Sequence, residues 1–522
     1  MPNTYKIGTR GSLLAKTQCN QIKQLLAKKT QQVYQLEFIQ TQGDVQTEQP
    51  LWQLEGKDFF TKELDAALLK EEVDLVVHSY KDLGSERPAG IKLGAITERK
   101  FSNDILLIKK STVEKISGLA ELVIGTSSPR RIYNIENFLA EYIPHQQAPK
   151  DGTETSIKIS TKISTKMLRG NINTRIQKLK DDHYHGIVLA LAGLERLAQT
   201  PASAAQLKNL LKDLTFMVLP QSVFPSAAAQ GALGIEYYAE AKNAREIQQF
   251  IATQNHPDTI DEVQRERQAF QEYGGGCHLA VGINVRKIKN HYLHTHRGEN
   301  DGARIDYQFL ERNQPPPKIN GKIFIGLPEE KVLKYSAQNI LADKLMSKSR
   351  LPQVTKAENI YTTSNYCLHA LTEYSSLWAS GVQTMKKLVS KGHWVNGCSD
   401  GLGEEVLIEL KSSQALALML DTQTWCTLSH SDGKSQIGPV LPVYERSIAL
   451  QIPDHYPTEI AACAAFYWTS FLQYQVHLKL YPNIQQKIHC CGLGKTYDTF
   501  LENNISVTPF ASVQDILNER TL

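Results

Sequence analysis

The feature that most restricts this chain is a rhythm in its first 240 residues, where short apolar runs are each followed by helix-start chemistry. Tyr5–Thr9 precedes a helical pattern with apolar Leu14, Ile22, Leu25 and Leu26 behind a Ser12 cap, and Val33–Thr41 follows as a second strand. A helix around Phe60–Lys70 leads to a strand at Asp74–His78, and Leu122–Gly125 and Ile187–Ala190 repeat the combination. Alternation of this kind predicts an α/β architecture with largely parallel sheets.

Two stretches interrupt the rhythm. Residues 144–166 are polar and carry the direct repeat Ile-Ser-Thr-Lys at 159–162 and 163–166, which reads as a surface hairpin or flexible extension. Around 313–320, Asn-Gln-Pro-Pro-Pro-Lys is a linker signal, because neither a helix interior nor a central strand accepts three prolines. At 522 residues the chain exceeds one core, so several domains are expected, with the main boundary at that linker. A second α/β pattern begins after it with a strand at Lys322–Gly326.

With 41% hydrophobic and 21% charged residues, the composition excludes disordered and fibrous classes. A net charge of +4 gives no reason to expect nucleic acid, yet it can hide a strongly cationic cleft if arginines converge. The N-terminus shows no charged and apolar leader pattern, and no apolar run reaches the ~18 residues of a membrane span, so a cytoplasmic protein without membrane association is expected. Eight cysteines without a CxxC pair or zinc-ligand spacing read mostly as reduced, buried thiols, and no metal site is indicated.

The residues that carry chemistry lie at strand ends. Ser79-Tyr80-Lys81-Asp82 follows a strand, where ligands collect in open α/β sheets; Lys81 and Asp82 are either a functional pair or a surface ion pair in a turn. In Gly125-Thr126-Ser127-Ser128-Pro129-Arg130-Arg131, Ser127 or Ser128 can cap a helix and Pro129 suits its first turn. Two arginines then sit where the helix dipole disfavours cations by ~0.3–1 kcal/mol each, so something anionic should offset them. Leu168-Arg169-Gly170-Asn171 with Arg175, and Ala192-Gly193-Leu194-Glu195-Arg196, repeat the combination, and Arg10 follows the first strand. At least six arginines at such positions imply a ligand with many carboxylates or phosphates, and no GxxxxGK[ST] loop points to a nucleotide. Tyr273-Gly274-Gly275-Gly276-Cys277-His278 displays a cysteine after three glycines, which are expected where the backbone takes positive φ or approaches another group closely.

Together these stretches resemble the hydroxymethylbilane synthase (porphobilinogen deaminase) family over about residues 4–315. The matching stretches are Thr9-Arg10-Gly11-Ser12, Gly43-Asp44-Val45, Gly56-Lys57, Phe60-Thr61-Lys62-Glu63-Leu64 and His78-Ser79-Tyr80-Lys81-Asp82. Further along come Gly125–Arg131, Leu168–Asn171, Leu191–Leu197, Pro225, Gln230-Gly231-Ala232 and Gly275-Gly276-Cys277. The resemblance implies two periplasmic-binding-protein-like lobes, 1–101 with 232–250 and 102–231, and a small α+β cofactor domain at 251–315. It implies a dipyrromethane cofactor joined to Cys277 by a thioether and held by Ser127, Ser128, Arg130, Arg131, Gly170, Lys81 and Asp82. Asp82, Lys81 and Lys57 would serve catalysis, while Arg10, Ser12, Thr126, Arg169, Arg175 and Arg196 hold acetate and propionate groups. The implied partners are porphobilinogen and linear tetrapyrrole intermediates, acted on by a monomeric enzyme.

Three features depart from the family pattern. Gly274 and Ala280 stand where the family has a glutamate and a proline, Pro129 replaces an apolar residue, and the Arg131–Arg169 spacing is longer because of 144–166. Residues 321–522 resemble uroporphyrinogen-III synthase, a two-lobed α/β fold, through Ile360–Ser364, Val395–Gly403, Val443-Tyr444, Tyr467–Ser470 and Gly492–Thr496 followed by Pro509. That resemblance places Tyr444 and Thr496 in a cleft, with Thr363, Ser364, Thr469 and Ser470 as donors, and Arg446 where the family tends to have threonine. Each hydroxyl also reads as a helix cap or turn residue. The rival readings are a carboxylate-binding module for the N-terminal part and a non-catalytic domain for the C-terminal part.

Overall fold

The computed structural model describes residues 3–41, 61–84, 86–144, 161–276, 278–335 and 338–521. Lys57, Cys277 and most of the 144–166 stretch therefore lie outside the described residues.

Strands β1 (Thr4–Thr9), β2 (Val33–Phe38), β3 (Leu75–Ser79), β4 (Ile91–Ile96) and β10 (Leu233–Tyr238) form one sheet in the order β2-β1-β3-β10-β4. A second sheet holds β5 (Asp104–Lys109), β6 (Glu121–Gly125), β7 (Lys162–Lys166), β8 (Gly186–Ala190) and β9 (Leu214–Val218) in the order β7-β6-β8-β5-β9. The expectation of largely parallel sheets needs correction. Only β2-β1-β3 and β7-β6-β8 run parallel, whereas β10 and β5 are antiparallel to both of their neighbours. β5 and β10 are the strands reached by crossing between sheets, through 97–103 and 219–232, so no helical crossover fixes their direction.

The first helix, Leu13–Thr30, starts as read, with Ser12 Oγ accepting from the Ala15 amide. It buries Cys19, Ile22 and Leu26, while Leu25, expected on its core face, is 38% exposed. The second Ile-Ser-Thr-Lys repeat is no surface extension: it forms β7, parallel to β6, with Ile163 buried. An edge strand has one covered face, so one buried side chain in a polar run suffices to specify it. A three-stranded antiparallel meander of β11 (Ala280–Ile288), β12 (His291–Asn300) and β13 (Ala303–Glu311) packs Val281, Ile283 and Ile305 against Ala269 of the Pro257–Glu272 helix.

After the prolines, β14 (Ile319–Asn320) pairs with β26 (Arg520–Thr521) at the end of the chain. Between them β15 (Lys322–Ile325), β16 (Ile340–Ala342), β23 (Cys463–Trp468), β24 (Ile488–Cys491) and β25 (Thr508–Pro509) form a parallel sheet. The intervening chain makes a six-stranded sheet of β17 (Met346–Arg350), β18 (Asn359–Thr362), β19 (Ser376–Ala379), β20 (Gly397–Cys398), β21 (Trp425–His430) and β22 (Val440–Ile448). Its order is β17-β22-β21-β18-β19-β20.

The N- and C-terminal parts are not tethered by the proline linker alone. The edge strands β9 and β20 meet: the Val218 amide donates to Asn396 O at 2.7 Å, and Asn396 Nδ2 and Trp394 Nε1 both donate to Phe216 O. Phe216 lies 5.9 Å from the Trp378 ring, and one continuous apolar cluster includes Leu189, Leu194, Phe216, Trp378, Leu407 and Trp425. The Glu195 carboxylate, 8% exposed, accepts from Ser413 Oγ at 2.6 Å and from the Ala415 and Gln414 amides, capping a helix of the C-terminal part. Glu195→Ala should lower stability by about 1–3 kcal/mol, read from the urea midpoint, because the Ser413 hydroxyl and two helix amides lose a buried acceptor. A midpoint equal to wild type would mean that water replaces the carboxylate.

Candidate active site

Strand β3 is apolar and covered on both faces, with Leu75, Val76 and Val77 all buried, and it ends in a 3₁₀ turn over Tyr80–Asp82. That turn projects Asp82 outward and leaves Lys81 half-buried. Lys81 Nζ donates to Gln230 Oε1 at 3.2 Å. Burial, opposed by Asp82 and helped by Arg131, pushes the Lys81 ammonium down to about 8. The Asp82 carboxylate makes no hydrogen bond or close ion pair among the described residues.

From the second sheet, β6 delivers the Pro129–Tyr142 helix with Pro129 in its first turn as read. The capping expectation is corrected: Ser128 stands at the cap position without a side-chain cap bond, and Ser127 Oγ instead donates to Leu168 O and accepts from the Leu168 amide. Buried Thr126 accepts from the Ser128 amide through Oγ1. The anion demanded by two arginines at a helix start is present within the protein. Arg130 Nη2 and Arg131 Nε and Nη2 all donate to the Asp104 carboxylate, at 2.6–2.9 Å, and Gln230 Nε2 adds a fourth bond at 2.9 Å. Burial alone would raise the Asp104 carboxyl, but the guanidinium pair holds it well below the ordinary carboxylate range. Gln230 therefore bridges Lys81 at the end of the first sheet to Asp104 at the start of the second. Asp104 was missed in the sequence, where an aspartate opening an apolar strand has no local signal.

Arg175 and Arg196 lie within reach of Asp82, and Arg169 is a neighbour of Arg175. Arg175, in the Ile172–Lys180 helix, donates through Nε to Gly170 O at 2.7 Å, and Gly170 adopts φ +113. Burial, with Arg131 and Arg169 as like-charged neighbours and Asp82 opposing, lowers Arg175 to about 10. Burial also lowers Arg169. Arg196 lies in the last turn of the Leu191–Ala198 helix, where a cation suits the dipole, and donates to Gly231 O at 2.7 Å. Burial lowers it to about 10 against the pull of Asp82. Arg10 stands directly after β1, beside the Ser12 cap. Arg130 and Arg131 thus grip Asp104, Lys81, Arg175 and Arg196 lie within reach of Asp82, and Arg130 Nε is buried without a hydrogen-bond partner among the described residues. Such a site can hold several carboxylates at once, because guanidinium forks stay charged and bind them bidentately.

Gly274, Gly275 and Gly276 all have positive φ (+94, +62 and +94), the conformation for which glycines were expected there. They leave the C-terminus of the Pro257–Glu272 helix and lead directly to position 277. The seven described cysteines are free, six of them buried. Asp65, His78 and Glu236 gather three metal-ligand types, but Arg87 bonds both carboxylates at 2.5–2.8 Å and supplies the positive charge there. Among the described residues no helix is long and apolar enough to cross a membrane.

In the C-terminal part, Ser364 and Ser470 cap helices, accepting from the Tyr366 and Gln473 amides. Thr363 Oγ1 donates to Leu428 O, and Thr496 Oγ1 to Thr469 O. Tyr444 is buried beside the Tyr366 ring.

The fold and this cationic cluster define an α/β protein with a site suited to a ligand of many carboxylates. Residues 5–246 match the family model described as porphobilinogen deaminase, dipyromethane cofactor binding domain. A porphobilinogen deaminase of Nostoc sp. is 33% identical over 342 residues, which cover 65% of this chain and 94% of that protein. One from Geobacter sulfurreducens is 34% identical, covering 54% of this chain and 77% of its own. The chain belongs to the porphobilinogen deaminase family. The methionine-binding protein MetQ overlays 48% of the chain at 12% identity and a TM-score of 0.27, too loose a superposition to bear on fold or function.

Proposed function

We propose that this chain is a hydroxymethylbilane synthase, a transferase that deaminates porphobilinogen, joins four of them head to tail, and releases hydroxymethylbilane by hydrolysis. The observation that carries the reading is the gathering of Lys81, Arg175 and Arg196 about Asp82, whose carboxylate makes no hydrogen bond among the described residues, next to Arg130 and Arg131 on Asp104. The proposed units are 1–101 with 232–250, 102–231, 251–315 and 321–522; the sheets change over at 97–103 and 219–232, which supports the first two.

The donor set fits a dipyrromethane with acidic side chains. Arg130 has a buried Nε without a partner, Ser127, Ser128 and Gly170 lie at adjoining strand ends, and the positive-φ glycines lead to Cys277, the proposed thioether anchor. Bound there, the cofactor would supply the primer on which the pyrrole chain is built. Arg10, Ser12, Thr126, Arg169, Arg175 and Arg196 would orient acetate and propionate groups of the incoming substrate. Loss of ammonia leaves an electron-poor pyrrole, and the Asp82 carboxylate beside its N–H stabilises that cation. Lys81, with its lowered pKa, can exchange a proton near neutral pH, and Lys57 is proposed as a third catalytic group. Turnover is the test. Purified protein should consume porphobilinogen and release a linear tetrapyrrole; binding without consumption would favour a carboxylate-binding module.

The C-terminal region is proposed to be a uroporphyrinogen-III synthase, with Tyr444, Thr496, Thr363, Ser364 and Ser470 bordering its cleft. Its organisation as two sheets, the second inserted into the first, supports this reading. Fusion would place the first enzyme's unstable product at high local concentration. A type III rather than type I cyclised product would credit this region.

A further inference from the structure

On the C-terminal six-stranded sheet, β17 and β22 pair antiparallel with Lys348 directly opposite Arg446 and Arg350 directly opposite Tyr444. Like charges facing one another across a strand pair are destabilising, and alternation places Lys348, Arg350, Tyr444 and Arg446 on one face. β17 is the sheet's edge, where exposed charges alone would deter aggregation. Lys348 and Arg350 are exposed, as such an edge requires, but Lys348 Nζ also lies 5.0 Å from the Tyr366 ring centroid and 5.9 Å from that of Tyr444, and Arg446, partly buried, has a buried Nε without a hydrogen-bond partner among the described residues. His430, paired in register with Tyr444, has a buried Nδ1 that also lacks a partner among the described residues.

None of Lys348, Arg350 and Arg446 forms an ion pair among the described residues. The nearby carboxylates are committed elsewhere or exposed. Asp343 accepts from Gln473 Nε2 and the Leu345 and Met346 amides, Glu445 accepts from Ser349, and Asp432 is exposed. Lys331 and Lys495, from helices of the neighbouring five-stranded unit, add further positive charge. Desolvation, Arg446 and Lys331 lower Lys348 to about 8, and desolvation, Arg446, Lys495 and Lys348 lower His430 to about 4, against the opposing pull of Asp432.

We infer that Lys348 and Arg446, with Arg350 and His430 beside them, form a second carboxylate-binding site in this chain, which grips the acidic side chains of a tetrapyrrole beside the partly exposed Tyr366 ring. The Tyr366 ring fits a pyrrole ring and the cations its carboxylates. For the identity of its ligand the inference rests on the synthase reading of this region.

The test uses the full-length protein and uroporphyrin I, a stable octacarboxylate, followed by fluorescence titration. Lys348→Met with Arg446→Met should weaken binding about tenfold or more at one class of sites, since each charged hydrogen bond contributes of that order. Deaminase turnover should be unchanged, and Lys348→Arg should bind as wild type does. If the double variant loses its deaminase turnover, Arg446→Gln alone serves the same comparison. Identical titrations for all variants would overturn the inference. Weakened binding together with a solely type I product from the wild type would uphold the site and reject the synthase reading; a type III product with unchanged binding would do the reverse.

Discussion

Asp104→Asn should cost the folded protein about 3–5 kcal/mol, the largest stability effect expected of any single substitution here. The carboxylate is fully buried, and Arg130 and Arg131, 4% and 7% exposed, are neutralised by it. An amide of the same shape accepts some of the same bonds but leaves two buried guanidinium groups without a counter-charge. The effect is read from the urea midpoint, and a loss below about 0.5 kcal/mol would mean that the arginines are neutralised by solvent or other groups. The same pair sets a pH dependence. Because the folded Asp104 pKa lies below the ordinary ~3.9 of an unfolded chain, its contribution is complete above that value. It is lost progressively as the pH falls from there through the folded value, so wild type should lose more stability than Asp104→Asn across that acid window.

Asp82→Ala should have the largest effect on rate, lowering kcat by about 10²–10⁴-fold. Its carboxylate is exposed and makes no hydrogen bond among the described residues, so its removal should leave the urea midpoint within ~0.5 kcal/mol of wild type. It also opposes the lowering of Arg175 and Arg196, and without it both guanidinium groups become more electropositive neighbours of the substrate. The expected signature is therefore a fall in kcat with KM unchanged or lower. A KM rise at constant kcat would assign Asp82 to ground-state binding and remove it from the chemistry.

Much of this architecture is written locally. Short apolar runs followed by helix or turn starts mark β1, β3, β6 and β8, and the three glycines before Cys277 announce the positive φ that all of them adopt. Arg130, Arg131, Arg175 and Arg196 were legible as a group because each occupies a strand-to-helix connection or the helix just beyond it. What was not legible depends on residues far apart in the chain. Asp104 meets Arg130 and Arg131 only because β5 enters the second sheet antiparallel to β8, a direction that no local pattern encodes. β7 hid in a polar repeat because an edge strand needs only Ile163 as its anchor. The contact between the two parts was invisible for the same reason. Phe216, Trp378 and Glu195 carry no local signal of that contact, which exists only once β9 and β20 are brought together.

Intact-mass spectrometry of the purified protein beside Cys277→Ser tests the central claim most directly. The account predicts a wild type heavier than its sequence by one dipyrromethane, and a Cys277→Ser variant at its sequence mass that does not turn over porphobilinogen. A wild type at its bare sequence mass that still turns over porphobilinogen, or a variant that carries the adduct, would contradict it.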